Sequence, residues 1–264
     1  TLQAIKQLQG LEFPAAAWET EVFPRRIARY HRDYLDKLCA SGEVMWGRLS
    51  PHPAFEASAA PRRRRVRPTR VAPVAIFLRE DAGWLFHAPH RDGAALSTTA
   101  RDVRAAIERR GASFFIDIVR ATGRLPSEVE DGLWELVAAG IVTADGFDNL
   151  RALVDPRRRL ATSRHERGRP RNAPGRWALL EQENAVRDVA AFAHQMLARW
   201  GVVFRDIVLR ESFAPPWRDL LVELRRMELQ GVIRGGRFVS TYVGEQFCLP
   251  EALESLRQLR DRTD

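Results

Sequence analysis

Apolar and polar positions follow the same order in three separate stretches of the chain. The shared register, L-x-x-[LM]-x-x-x-G-x-[VI], runs from Leu35 to Val44, from Leu133 to Val142 and from Leu224 to Ile233. Apolar residues three or four positions apart predict an amphipathic helix, and the glycine predicts its left-handed end. The apolar residue after the glycine predicts the start of a strand. We therefore expect three repeated units.

The second and third repeats share a further upstream segment. Phe115-x-Asp117-Ile118-Val119 matches Phe204-x-Asp206-Ile207-Val208, and a helical stretch precedes each, at 98–110 and 184–199. Prolines stand at predicted helix entries, where the missing N–H has no cost: Pro14, Pro126, Pro215 and Pro216. The order of helix, short helix, turn, longer helix, glycine and hairpin is that of a winged helix-turn-helix. The candidate recognition helices are 30–41, 127–139 and 216–230.

Two β-hairpins are predicted beside these helices. In the third repeat, residues 232–234 are predicted to form the first strand and 237–243 the second strand of a hairpin. Gly235-Gly236 between them is a two-residue turn signal. Between the first two repeats, 71–79 and 83–87 flank an Asp81-Ala82-Gly83 turn and predict a hairpin of a small sheet or barrel.

The predicted fold is therefore α+β, with tandem winged-helix modules and a small inserted β-hairpin or β-barrel element. The chain starts at Thr1 without an initiator methionine, which suggests a piece of a longer protein with a truncated first module. The predicted divisions are a winged-helix module at 1–50, a basic loop and β element at 51–96, a winged-helix module at 97–156, an arginine-rich linker at 157–175, and a winged-helix module with C-terminal hairpin and helix at 176–264.

The positive charge is concentrated in two segments. The chain has 264 residues and a net charge of +8, and Lys6 and Lys37 are its only lysines. Residues 62–70 hold six arginines and no acid, and 157–176 hold eight arginines and one acid. Both segments contain proline and have few large apolar residues, and the second also contains glycine, so we expect loops or linkers there. These loops are either solvated linkers or contacts to the phosphates of a nucleic acid. The arginines predicted to bind nucleic acid are Arg62, Arg63, Arg64, Arg65, Arg67, Arg70, Arg157, Arg158, Arg159, Arg169 and Arg171.

The three predicted recognition helices differ in charge. The second contains four acidic residues and no arginine, which favours an architectural or protein-binding role. The third is basic and begins with Trp217, which is either a core anchor or a platform for an exposed base. Its predicted nucleic-acid-binding residues are Trp217, Arg218, Arg225 and Arg226, with Arg234 and Arg237 in the wing.

Several classes of protein are disfavoured. No stretch is long and apolar enough for a predicted membrane span, and two cysteines favour a reducing cytoplasm over a disulfide scaffold. No phosphate-cradling G-x-x-x-x-G-K-[ST] loop is present, so we expect no ATP hydrolysis and no cofactor in this chain. His87-x-x-His90 has no third ligand at zinc-site spacing, so we expect no metal site.

Long strings of this sequence resemble a known family. Residues 201–251, 111–153 and 11–49 are similar to the C-terminal end of the bacterial long-form large helicase-related proteins. The most specific strings are G-V-V-F-R-D, which begins at Gly201, and R-G-G-R-F-V followed by G-E-Q-F, which begin at Arg234 and Gly244. The two arginine-rich segments resemble the family least.

The resemblance implies a parent that is an ATP-driven 3′-to-5′ DNA helicase of superfamily 2 with a role in DNA repair. Its motor domains would hold ATP and Mg²⁺, and this chain would be a non-motor module. The implied partners are single-stranded or duplex DNA, an RNA–DNA hybrid and the remainder of the helicase chain.

Two alternative functions stay open from the sequence. The family's C-terminal region is similar to winged-helix DNA glycosylases, for which Glu245, Gln246 and Asp206 are the candidate catalytic residues. Gln7-x-Gln9 is similar to an element of those enzymes, although its spacing on a helix favours surface positions. The second alternative is an oligomerisation or assembly domain, suggested by the acidic second repeat.

Overall fold

The chain folds into two compact units. The computed structural model describes residues 1–50, 52, 72–85, 96–154, 175–180, 187–211 and 213–260. Unit 1 comprises residues 1–82 and 88–183, and unit 2 comprises 83–87 and 184–264. No helix in the described ranges has the length and apolar character needed to cross a membrane.

The first winged helix begins unit 1. Its elements are α1 (Leu2–Leu8), β1 (Phe13–Pro14), a short π-helix (Trp18–Val22), α2 (Arg32–Ala40), β2 (Val44–Gly47) and β3 (Pro73–Leu78). The antiparallel sheet has the order β1-β3-β2, with Phe13 opposite Val74 and Val44 opposite Leu78. A 3₁₀ turn (Arg79–Asp81) and α3 (Ala82–Leu85) follow.

The second winged helix completes unit 1 with the same topology. Its elements are α4 (Thr98–Arg110), β4 (Ser113–Phe114), α5 (Phe115–Thr122), α6 (Pro126–Ala138), β5 (Val142–Ala144), α7 (Phe147–Val154) and β6 (Arg176–Leu179). The sheet order is β4-β6-β5. A Cβ at Gly132 of α6 would lie 3.2 Å from the Thr99 side chain of α4, so glycine permits their close packing.

The third winged helix forms most of unit 2. Its elements are α8 (Val189–Trp200), β7 (Val202–Phe204), α9 (Arg205–Val208), α10 (Trp217–Leu229), β8 (Arg234–Gly236), β9 (Gln246–Cys248) and α11 (Pro250–Arg260). The sheet order, β7-β9-β8, again places the last strand in the middle. Its core packs α8 against α10, and Trp84 contacts this core through Phe213.

The repeated register therefore reflects three winged helices, as the sequence predicts. The candidate recognition helices are observed as α2, α6 and α10. The glycine after each has a positive φ, which is 79° at Gly42, 68° at Gly140 and 76° at Gly231. A side chain at these positions would strain the backbone, so glycine ends the helix there.

The predicted inserted hairpin is wrong. Residues 73–78 form β3, the central strand of the first sheet, and residues 83–85, which begin the predicted return strand, lie in α3 instead. The 51–96 segment thus supplies a strand to the first winged helix, and 176–179 supplies β6 to the second. Strands far apart in sequence pair here, which the local turn signal could not show. Pro14, predicted at a helix entry, lies in β1.

The prediction of a turn at Gly235-Gly236 is also wrong. Both glycines belong to β8, where Gly235 pairs with Phe247 and Gly236 with Gln246. The return strand is β9, and 237–245 forms the loop between the two strands. A hairpin is present, but its wing is a longer loop.

The first two winged helices share one hydrophobic core. Trp46 of β2 is fully buried and packs edge-on against Phe147 and Trp177, both from the second winged helix. Its indole N–H donates to the Gly146 carbonyl at 3.2 Å, and its carbonyl accepts from the Thr143 hydroxyl at 2.6 Å. The two modules of unit 1 are therefore fused through apolar packing and hydrogen bonds.

An ion cluster at the same junction centres on Arg151 of α7. Its guanidinium binds Glu19 with two hydrogen bonds, of 2.8 and 2.6 Å, and also binds Asp36 and Asp148. The Glu19 side chain is only 6% exposed and accepts a further hydrogen bond from the Tyr30 hydroxyl. Burial alone would lower the pKa of Arg151, but its bonds with Glu19 and Asp36 raise that pKa above its ordinary value.

Removal of the Arg151 charge should destabilise unit 1. Arg151→Met removes both hydrogen bonds of the guanidinium to the buried Glu19 carboxylate and leaves only the longer 3.9 Å contact with Arg32, so we expect a loss of about 3–5 kcal/mol in the free energy of unfolding. Urea unfolding followed by circular dichroism measures this. The control is Arg176→Met, which breaks the exposed pair with Asp145 and should cost at most about 1 kcal/mol. Equal losses in the two variants would contradict a special role for the cluster.

Candidate nucleic-acid interface

Helix α10 presents an exposed face of alternating basic and apolar residues. Arg218, Val222, Arg225 and Leu229 follow one another at spacings of four, three and four, which places them on one side of the helix. All four are exposed, while Leu220, Leu224 and Met227 pack into the core on the opposite side. The amphipathic pattern therefore directs this basic face to solvent.

The arginines of this surface differ in their local partners. Arg225 donates to Glu245 at 2.7 Å, and Arg226 binds Glu223 with two hydrogen bonds, of 2.9 and 2.6 Å. The bond from Arg226 lowers the pKa of Glu223, so that carboxylate stays charged. Arg218, Arg234 and Arg237 are exposed and form no ion pair with any residue that the structure describes. These three are the side chains most available to a phosphate.

The wing is held in place by one buried side chain. Gln246 in β9 has no exposed surface. Its Oε1 accepts from the Phe238 and Val239 amides, both at 2.8 Å, and its Nε2 donates to the Val239 and Tyr242 carbonyls. These four bonds use the whole hydrogen-bonding capacity of the amide. Gln246 therefore fixes the loop that carries the wing.

A second contact joins the wing to α10. Glu228, near the end of the helix, accepts from the Gly235 amide at 3.0 Å. A Cβ at Gly235 would lie 2.4 Å from Glu228 Oε1, so glycine permits this approach. This hydrogen bond therefore joins the wing strand β8 to α10.

The candidate catalytic residues do not share one environment. Gln246 is committed to the wing, Glu245 is half-exposed and paired with Arg225, and Asp206 is an exposed residue in the first turn of α9. Trp217 is partly buried and packs against the core of unit 2, which accords with the core-anchor interpretation. Gln9, expected at the surface, is buried and binds the Leu78 amide and Asp81.

Comparison with known proteins identifies the family. A model described as a winged-helix domain of the large helicase-related protein matches residues 181–264, and a second with the same description matches 1–67. The Lhr helicase/uracil glycosylase of Escherichia coli is 30% identical over 285 residues, which cover 98% of this chain and 18% of that protein. The chain belongs to the large helicase-related family.

A second relative agrees with this assignment. The Lhr helicase/probable uracil glycosylase of Mycolicibacterium smegmatis is 30% identical over 287 residues, with the same shares of 98% and 18%. The chain therefore spans less than a fifth of the length of these relatives. It comprises winged-helix domains of a helicase family, and the second winged helix at 98–179 lies between the two matched segments.

The other two recognition helices of this large helicase-related chain are positioned differently. Helix α6 is buried along most of its length, with only Pro126 and Ser127 exposed, and the His52 amide donates to its Ala138 carbonyl. The recognition helix of the second winged helix therefore presents only partly exposed acidic side chains and its first turn to solvent. Helix α2 of the first winged helix has an open face with Arg32, Tyr34 and Lys37.

Sequence reasoning missed the basic residues of the first winged helix. Arg25, Arg26 and Arg29, in the turn before α2, are exposed together with Arg32 and Lys37 of α2. The string P-R-R-I-A-R-Y-H-R at residues 24–32 could have indicated them, but it has fewer arginines than either of the two arginine-rich segments. The predicted sites at Arg62 to Arg70 and at Arg157 to Arg171 lie outside the described residues, as do His87 and His90, and stay predictions.

Loss of the Gln246 amide should loosen the wing. Gln246→Leu leaves two backbone N–H and two carbonyl groups of the wing loop without their partner, and we expect a loss of about 1–3 kcal/mol in the unfolding free energy. Faster proteolysis within 237–245 should accompany it. Thermal melting and limited proteolysis measure both effects. Gln258→Leu, at an exposed position of α11, is the matched control and should leave both unchanged within about 0.5 kcal/mol. Unchanged proteolysis of Gln246→Leu would contradict this role.

Proposed function

We propose that this chain is a nucleic-acid-binding module of a large helicase-related DNA helicase that acts in DNA repair. The observation that carries the proposal is the surface of the third winged helix. Arg218, Arg234 and Arg237 stand exposed around α10 and the wing without a carboxylate partner among the described residues. A helix-turn-helix module places its second helix in a groove of the duplex, and exposed guanidinium groups then contact phosphates.

The rigidity of this surface favours binding over chemistry. Gln246 and Glu228 hold the wing beside α10, so the arginines need little ordering when a nucleic acid arrives. ATP and Mg²⁺ would act in motor domains of the parent helicase, because no G-x-x-x-x-G-K-[ST] loop occurs in this sequence. The module would contribute affinity for single-stranded DNA, duplex DNA or an RNA–DNA hybrid.

Salt dependence tests the proposal. If about eight arginines contact phosphates, the logarithm of the association constant should fall against the logarithm of salt concentration with a slope of roughly −7 for duplex DNA. Fluorescence anisotropy with labelled single-stranded, duplex and hybrid oligonucleotides provides the constants, and an ATPase assay with single-stranded DNA should show no hydrolysis. A slope shallower than about −2, or DNA-stimulated ATPase activity, would contradict the proposal.

Base excision is a second candidate function, because the names of both relatives include uracil glycosylase activity. Glu245→Gln separates it from binding. In the binding interpretation, the substitution frees Arg225 and removes a negative charge, so affinity for DNA should rise about two- to fivefold. In the excision interpretation, loss of the carboxylate should abolish release of uracil from a uracil-containing duplex. We expect the first outcome.

Glu254→Gln is the matched control for this test. Glu254 is an exposed glutamate that pairs with an arginine, Arg257, in the same unit but on α11. Its substitution should leave both affinity and uracil release unchanged. Uracil excision by the unmodified chain that Glu245→Gln abolishes and Glu254→Gln preserves would establish the second function.

A further inference from the structure

The helix-turn-helix of the first winged helix presents a second basic surface. Five cationic side chains are exposed within thirteen residues, and we refer to them together as the 25–37 face: Arg25, Arg26, Arg29, Arg32 and Lys37. Exposed carboxylates in the neighbouring segment are Glu21, 3.9 Å from Arg25, and Asp33, which lies beside His31. Arg29 and Lys37 form no ion pair with described residues. Five cations therefore oppose two exposed anions.

The remaining acids of this segment, Glu19 and Asp36, are less exposed, and arginines bind both of them: Arg32 lies 3.9 Å from Glu19, and the Asp36 side chain is 31% exposed. Glu19 is 6% exposed and is bound by two nitrogens of Arg151, and Asp36 binds the same guanidinium at 3.0 Å. Arg151 belongs to α7 of the second winged helix. Its single positive charge therefore offsets part of the negative charge of Glu19 and Asp36 beside the 25–37 face.

The turn before α2 also contains an uncommon backbone conformation. Arg29 has a φ of 54°, and it is the one residue other than glycine with a positive φ in the described chain. Arginine has no preference for this conformation, and a non-glycine residue there is uncommon and carries strain. Arg29 is exposed, so burial of its side chain does not account for this conformation.

We propose that the 25–37 face is a second nucleic-acid contact surface that binds the phosphate backbone. This inference rests on the proposed function and assigns part of the affinity to unit 1. The chemistry of the face fits a polyanion, since its exposed side chains are mainly cationic, and Tyr34, 42% exposed on α2, can stack on a base or ribose. If the 25–37 face instead bound an acidic protein, substitution of its residues would leave the affinity for nucleic acid unchanged.

A triple substitution tests the surface in the whole 264-residue chain. Arg25→Gln, Arg26→Gln and Arg29→Asn together remove three charges, and asparagine tolerates the left-handed backbone at position 29. We expect an affinity for duplex DNA at least about tenfold lower at 0.1 M salt and a salt slope smaller by about 2–3, at about 0.9 for each phosphate contact. The matched control, Arg101→Gln with Arg109→Gln and Arg110→Gln, removes three exposed charges from α4 and should change the slope by less than about 1.

Lysine acetylation provides a second measurement on the unmodified protein. Lys6 and Lys37 are the only lysines, and both are exposed. Sulfo-NHS-acetate labelling and mass spectrometry, with and without saturating duplex DNA, should show protection of Lys37 by at least about threefold relative to Lys6. This footprint needs no variant and so does not depend on the folding of the triple variant.

The outcomes separate the inference from the function on which it rests. A chain that binds DNA while the triple variant keeps its slope and Lys37 stays unprotected would overturn the 25–37 face and leave the third winged helix as the binding surface. A chain that binds no DNA, single-stranded or duplex, would overturn both. A smaller slope in the triple variant only, together with Lys37 protection, supports the inference.

Discussion

The partly buried guanidinium of Arg151 joins the first two winged helices through its bonds to Glu19 and Asp36. An ion pair with one partner as buried as Glu19 is tolerated only when its geometry is good and the remaining lone pairs are satisfied. Arg151 satisfies Glu19 with two hydrogen bonds, and the Tyr30 hydroxyl donates a third. The cluster therefore specifies one arrangement of α7 against the first module, beside the apolar contact of Trp46 with Trp177.

This arrangement assigns different roles to three copies of one topology. In the second copy, most of α6 is buried, and its four acidic residues are only partly exposed. In the first and third copies the recognition helix keeps an open basic face. The two proposed contact surfaces thus lie on the first and third copies, and the middle copy packs against the first.

Much of the fold could be predicted from the sequence because its determinants are local. The register of Leu133, Leu136 and Gly140 shows a helix and its end, and each glycine has the left-handed backbone that the pattern indicates. Local signals failed where pairing is distant. Gly235-Gly236 is a turn signal by itself, but Phe247 and Gln246 pair with these glycines and make them strand residues. Gln246 likewise could be judged a structural residue only after its four partners were known.

The two cysteines lie in separate cores, Cys39 in the core shared by the first two winged helices and Cys248 in β9 of the third. Neither is disulfide-bonded, both are at most 3% exposed, and burial raises the pKa of Cys39 to about 12. A thiol so placed reacts only when its surroundings open. The chain therefore has one natural reporter of local unfolding in each unit, and thiol-exchange kinetics can time the opening of the helicase-family framework and of the third winged helix independently.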